Sequence, residues 1–181
     1  YGLIGQRFAN YRPAYREVYF ADRAQGGGAL QDAMTHLLNL AEWLVGPINR
    51  VVADIEHQYL DGVTVEDTVH VLARQGKVMG TDRLNLYQHP NEAHITVVCS
   101  DGVLRFSLSD GQWRAMAEAD GPWEDHPCRL PDRDAWYVAN AHSYLDALAG
   151  AAPPLCDLDG GIQSLRVNVA ALRSVERQAW T

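Results

Sequence analysis

The stretch GGGALQDAMTHLLNLAEWLVGP, Gly26 to Pro47, decides how this chain folds and raises the first question about its chemistry. Leu30, Met34, Leu37, Leu38, Leu40, Trp43 and Leu44 recur at helical spacing, which predicts one amphipathic helix. Gly46 suits its C-terminal cap, and Pro47 cannot continue it. Three glycines lead into that helix, and Asp32 and His36 lie four residues apart on it.

The glycines do not read as a dinucleotide loop. That fingerprint needs a strand, then G-x-G-x-x-G, then a helix with an acidic residue roughly 20 positions on. Here the later glycine is missing, and the preceding YFADRAQ is loop-like. The glycines instead let the chain turn sharply and let the helix start pack closely. Asp32 and His36 remain open on spacing alone. An i, i+4 pair shares a helix face, and a carboxylate beside an imidazole suits a general acid/base. The plainer account, which spacing favours, is a negative charge in the first turn and a half-buried histidine. With no H-E-x-x-H motif and no cysteine cluster, no metal site is expected.

Before the helix, GLIGQRFANY is strand-like and NYRPAYREVYF forms an aromatic, basic loop. After it, INRVVADIEHQYL, VEDTVHVLARQ, VMGTDRLNLYQH and AHITVVC are rich in β-branched residues, and two Asp-Gly pairs (VVCSDGVLRF and SLSDGQWRA) signal hairpins. A mostly antiparallel meander is expected from about Asn49 to Ala117, with Pro90–Glu92 as a further turn. ADGPWEDHPCRLPDRD reads as a loop. Two helices close the chain, one with Val138, Ala141, Leu145 and Leu148 on a face, the other N-capped by Asp157 with Ile162, Leu165, Val169 and Leu172 as its buried stripe. Helix, strands and helices in blocks predict an α+β fold, an open sheet with helices on one face. The other face mixes apolar and polar residues, so it is expected to be available for a homo-oligomer contact or for another domain.

Bulk composition narrows the function. At 181 residues the chain suits one domain. Hydrophobic content of 47% and charged content of 21% are globular values. A net charge of −8 without any Lys/Arg run argues against nucleic acid. No apolar run approaches about 18 residues, so no membrane span is expected. Cys99, Cys128 and Cys156 are odd in number and scattered, which suits a reducing, cytoplasmic setting. Tyr1 opens what reads as the inside of a strand, so the chain reads as a piece of a longer protein.

GGGALQDAMTHLLNLAEWLVG resembles the G-G-G-x-x-x-D-x-x-x-H helix of the glucose–fructose oxidoreductase and inositol dehydrogenase (Gfo/Idh/MocA) family. GQRFANYRPAYREVYF resembles that family's substrate-side loop. VEDTVHVLAR and PNEAHITVVCSDGVLRF resemble its sheet strands, and SYLDALAGAAPPLCDLDGGIQSLRVNVAALRSVE its closing helices. The resemblance covers nearly the whole chain but only the family's C-terminal domain. It implies that residues 1–181 are a single substrate-binding and oligomerisation domain, and that the N-terminal Rossmann domain, with its nucleotide fingerprint and catalytic lysine, lies outside this chain.

By the same resemblance, His36 matches the family's general acid/base and Asp32 its supporting carboxylate. Many members carry a further aspartate where this chain has Asn39, which keeps hydrogen bonding but drops the charge. Arg12, Tyr15, Arg16 and His89 are candidate substrate contacts, since arginine donors suit hydroxyl or carboxylate oxygens; each reads equally well as an ordinary surface residue. The implied function is an NAD(P)-dependent dehydrogenase acting on a sugar, polyol or related hydroxy compound. NAD or NADP would be bound by the complete protein and not by this fragment, which is expected to be inactive alone. Two alternatives are a non-catalytic sugar-binding or regulatory relative and a self-contained interaction domain.

Overall fold

The structure is a computed structural model that describes the backbone of residues 1–181 and every side chain except that of Arg133. The chain opens with β1 (Gly2–Arg7) and the one-turn α1 (Phe8–Tyr11). Short 3-10 turns at Tyr19–Ala21 and Arg23–Gln25 lead to a π-helical turn, Leu30–Met34, that runs directly into α2 (Thr35–Val45). Seven strands follow: β2 (Arg50–Glu56), β3 (Thr68–Gln75), β4 (Val78–Asn85), β5 (Tyr87–Cys99), β6 (Gly102–Ser107), β7 (Gln112–Met116) and β8 (Glu124–Pro127). Helices α3 (Arg133–Leu148) and α4 (Leu158–Arg177) end the chain. The fold is α+β, as expected.

One eight-stranded sheet runs in the order β2-β3-β4-β1-β5-β6-β7-β8. Every pairing is antiparallel except that of β1 with β4. The predicted meander is therefore interrupted: β1 lies between β4 and β5 and pairs with both. Both Asp-Gly hairpins form, at β5–β6 and β6–β7, with positive φ at Gly102 and Gly111. Two local expectations fail. Pro90–Glu92 is no turn but lies within β5, where the pairing with β1 is bulged between Gly5 and Arg7. Part of the expected loop after Ala117 supplies β8, which pairs with β7 through Trp113 with His126 and Arg114 with Asp125.

The core lies between one face of β2–β4 and the helices α2 and α4. Val51, Val69, Val71, Ala73 and Leu84 meet Leu30, Met34, Leu37, Leu38, Val167 and Ala171, all buried. Helix α4 is turned relative to its expected stripe. Its buried residues are Val167, Asn168, Ala171 and Ser174, while Leu165 is 57% exposed. Small and hydroxyl side chains let the helix approach β2 closely, and the Ser174 hydroxyl accepts the Ala53 N–H at 2.8 Å. Asn168 donates to Thr35 Oγ1 at 2.9 Å and Asn39 to Ser164 Oγ at 2.8 Å, which fastens α4 to α2. Helix α3 also departs from expectation: Trp136, Tyr137, Val138, Tyr144, Leu145 and Leu148 are all more than half exposed. On the sheet face opposite the helices, Leu72 and Met79 are exposed.

Candidate functional site

The entry into the π turn is built by buried acid and glycine together. Glu66, 2% exposed, sends Oε1 to the Leu30 N–H at 3.0 Å and Oε2 to the Arg23 guanidinium at 2.7 Å. Its backbone carbonyl accepts the Ala29 N–H at 2.9 Å. One residue therefore satisfies two of the orphan amides that every helix start leaves. Gly28 has φ +95° and lies against the Glu66 carboxylate, and Gly27 lies against the carbonyls of Tyr19, Phe20 and Asp22. The glycines are steric necessities of this turn. They offer no cradle for a phosphate, since the carboxylate already fills the helix start and would repel an anion. Glu66 and its neighbour Asp67 escaped the sequence reading, although two adjacent acids inside an otherwise β-branched run were a usable signal.

Asp32 lies in the π turn and His36 in the first turn of α2. A π turn closes i→i+5 bonds, and the Thr35 N–H reaches back to the Leu30 carbonyl. That wider turn disturbs the i, i+4 alignment which the D-x-x-x-H spacing presupposes. Among the described residues no hydrogen bond joins the two side chains. The Asp32 side chain is only 8% exposed, and its Oδ1 accepts from Arg12 Nη1 at 3.3 Å and from the Tyr19 hydroxyl. Arg12 Nη1 also reaches the Tyr19 oxygen at 3.5 Å, and its guanidinium lies 5.4 Å from the Phe8 ring centre. The Tyr19 contact, and after it the Asp32 charge, raise the Arg12 pKa and keep it fully charged. His36 is exposed and makes no side-chain hydrogen bond among the described residues.

The site is thus a clamp, Arg12–Asp32–Tyr19, with a solvent-facing imidazole beyond it. Tyr19 was not singled out by the sequence, because its contact depends on the path of the loop from Arg12 to Gly27. The remaining candidates lie elsewhere. Tyr15 differs most from expectation: it is 2% exposed, packed with Phe8 and Phe20, and its hydroxyl donates to the Asp61 carbonyl at 2.7 Å. It is a core residue. Arg16 is exposed, donates from Nε to that same carbonyl at 2.8 Å, and lies 4.7 Å from the Tyr15 ring centre. His89 is exposed in β5 and makes no hydrogen bond to Arg12, Asp32 or His36. Among the described residues no group of three or more His, Cys, Asp or Glu is placed to hold a metal ion, and no helix is long and apolar enough to cross a membrane.

Comparison with known proteins adds a family. The model of the GFO/IDH/MocA C-terminal domain matches residues 3–105. Among solved structures, levoglucosan dehydrogenase in complex with NADH aligns with TM-score 0.85 at 17% identity, over 99% of this chain and 56% of that one. An oxidoreductase domain protein from Kribbella flavida aligns with TM-score 0.84 at 19% identity, over 99% and 56%. The WlbA dehydrogenase from Bordetella pertussis, solved with NADH and UDP-GlcNAcA, aligns with TM-score 0.69 at 23% identity, over 99% and 52%. At such identities the likeness is one of fold. The chain spans little more than half the length of these structures. No curated protein matches the sequence.

Proposed function

The chain belongs to the GFO/IDH/MocA C-terminal domain family, and from that premise we propose that it is the substrate-binding and acid/base domain of an NAD(P)-dependent oxidoreductase acting on a sugar, polyol or related hydroxy compound. His36 takes the proton of the substrate hydroxyl, and Asp32, held by Arg12 and Tyr19, orients that hydroxyl. The observation that carries the reading is this fixed carboxylate one turn from an exposed, uncommitted imidazole on a family-matched helix.

The nicotinamide would supply a hydride acceptor, and the glycine turn of this chain offers its dinucleotide no phosphate cradle. The filling of that turn by Glu66 supports a cofactor held by a separate dinucleotide-binding domain of the complete protein. Solved structures of similar fold in complex with NADH support a nicotinamide cofactor in the complete protein. Residues 1–181 alone are then inactive. Exposed Leu72 and Met79 favour the open sheet face as a homo-oligomer contact, and three free cysteines suit the cytoplasm.

The test follows reduced-cofactor absorbance in the complete protein with NAD and NADP against sugars and polyols, beside His36→Ala. Because His36 is exposed and unbonded, the variant should fold normally and lose turnover. Near-normal turnover would sink the assignment. One observation favours a second reading, a sugar-binding relative without the reaction: Asp32 bonds Arg12 and Tyr19 and leaves His36 unsupported. Substrate binding with no cofactor reduction would select it.

A further inference from the structure

Helix α4 meets α2 through a ladder of polar contacts, one for each turn of α2. Asn168 Nδ2 donates to Thr35 Oγ1 at 2.9 Å, Asn39 Nδ2 to Ser164 Oγ at 2.8 Å, and Gln163 Nε2 to Glu42 Oε1 at 2.8 Å. Thr35, Asn39 and Glu42 stand at i, i+4 and i+7, so they form one stripe of α2. The α4 partners descend in number as the α2 residues rise, so the two helices run antiparallel along that stripe. A slide of either helix by one turn, about 5.4 Å, would break every rung. The neighbouring apolar face of α2, with Leu37 and Leu38 in the core, carries no such direction of its own.

Stability is a poor reason for these rungs. Asn168 is buried and its Oδ1 accepts nothing from the described residues, a cost that a leucine of similar size would avoid. Two of the rungs bracket His36: Thr35 precedes it, and Asn39 follows three residues on. Thr35 is also where the π turn closes onto the Leu30 carbonyl, so its rung fixes the point at which α2 begins. His36 makes no side-chain hydrogen bond among the described residues, and only the backbone of α2 aims its ring. Resting on the oxidoreductase reading above, we infer that Asn168 and Ser164 of α4 are positioning residues for His36. They hold the register of α2 and, through it, the place from which the imidazole takes the substrate proton.

The test uses the complete protein carrying this chain, with the sugar or polyol of the panel that the wild type oxidises fastest. Thr35→Val combined with Asn168→Leu removes both partners of one rung at nearly constant shape, so the melting temperature should hold. Its kcat should fall about tenfold with KM within about twofold of the wild type, because a displaced base weakens the transition state and leaves ground-state binding alone. Ser164→Thr and Ser164→Val form a second, isosteric pair that differs only in the hydroxyl offered to Asn39. The threonine should keep wild-type kcat and the valine should lose it, a comparison that stands even if the double variant does not fold. Wild-type kcat in the valine variant or in a folded double variant overturns the inference and leaves the oxidoreductase reading intact. A fall in kcat matched by a raised KM and a lowered melting temperature also overturns it, reducing the rungs to packing. If the wild type turns over no member of the panel, the oxidoreductase reading falls and takes this inference with it.

Discussion

The Glu66 carboxylate occupies the space that a side chain at Gly28 would need. Gly28 also has φ +95°, so an alanine there meets both backbone strain and a buried charged group. Gly26 has φ +83° but faces open space. Gly26→Ala should therefore cost about 1 kcal/mol from conformation alone, and Gly28→Ala at least about 2 kcal/mol more. Urea unfolding of the two variants measures the difference. Equal costs would mean that Glu66 yields easily.

The Glu66–Arg23 pair is lopsided, with side-chain exposures of 2% and 51%. Removing the exposed partner strands a buried charge, whereas removing the buried charge frees an arginine into water. Arg23→Met should thus destabilise by about 2–4 kcal/mol, and Glu66→Gln, which keeps an acceptor for the Leu30 N–H, by only about 1 kcal/mol. Thermal melts of both variants should rank them in that order.

Asp82 sets a pH dependence. Burial at the sheet face beneath α2 raises its carboxyl from the ordinary 3.8 to about 6, against the smaller lowering effect of the Gly2 amide. A folded-state pKa above the unfolded one means that protonation favours the fold. Its stabilising effect is complete below about pH 4 and is lost as pH rises through about 6. The penalty above that range is about 2–3 kcal/mol. Asp82→Asn should accordingly gain that much on the wild type between pH 4 and pH 8 in chemical denaturation. A constant difference across the range would show that Asp82 ionises normally.

Tyr19→Phe keeps the ring and removes the hydroxyl that donates to Asp32. Since Tyr19 is 45% exposed, stability should change little. In the complete protein, kcat/KM should fall about tenfold, the worth of one bond to a charged group. Unchanged kinetics would reduce the Tyr19 contact to packing.

What the sequence makes legible here is local. The Asp-Gly hairpins are readable because each is set by its own few residues, and the glycine turn because only glycine tolerates such close approach. The centre of the sheet is not readable, since β1 pairs with residues some 80 to 90 positions away. The α4 stripe is misread because Asn168, Ala171 and Ser174 bury through hydrogen bonding and close approach, which hydrophobic periodicity does not register. At the candidate site, Asp32 and His36 are picked out by spacing and given roles only by the family resemblance, while the π turn and the Tyr19 contact that redefine their relation arise only from the folded path of the backbone.

The place of β1 in the sheet has a consequence for how the molecule is made. Residues 2–7 leave the ribosome before the other strands of this sheet, yet their partners, Asp82–Asn85 and Glu92–Ile95, follow much later. The half-sheets β2–β4 and β5–β8 can each close by adjacent hairpins as they emerge. Strand β1 can take its place, the seam between the two halves, only after β4 and β5 have emerged. A nascent chain stalled before Asp82 holds β1 with neither of its partners.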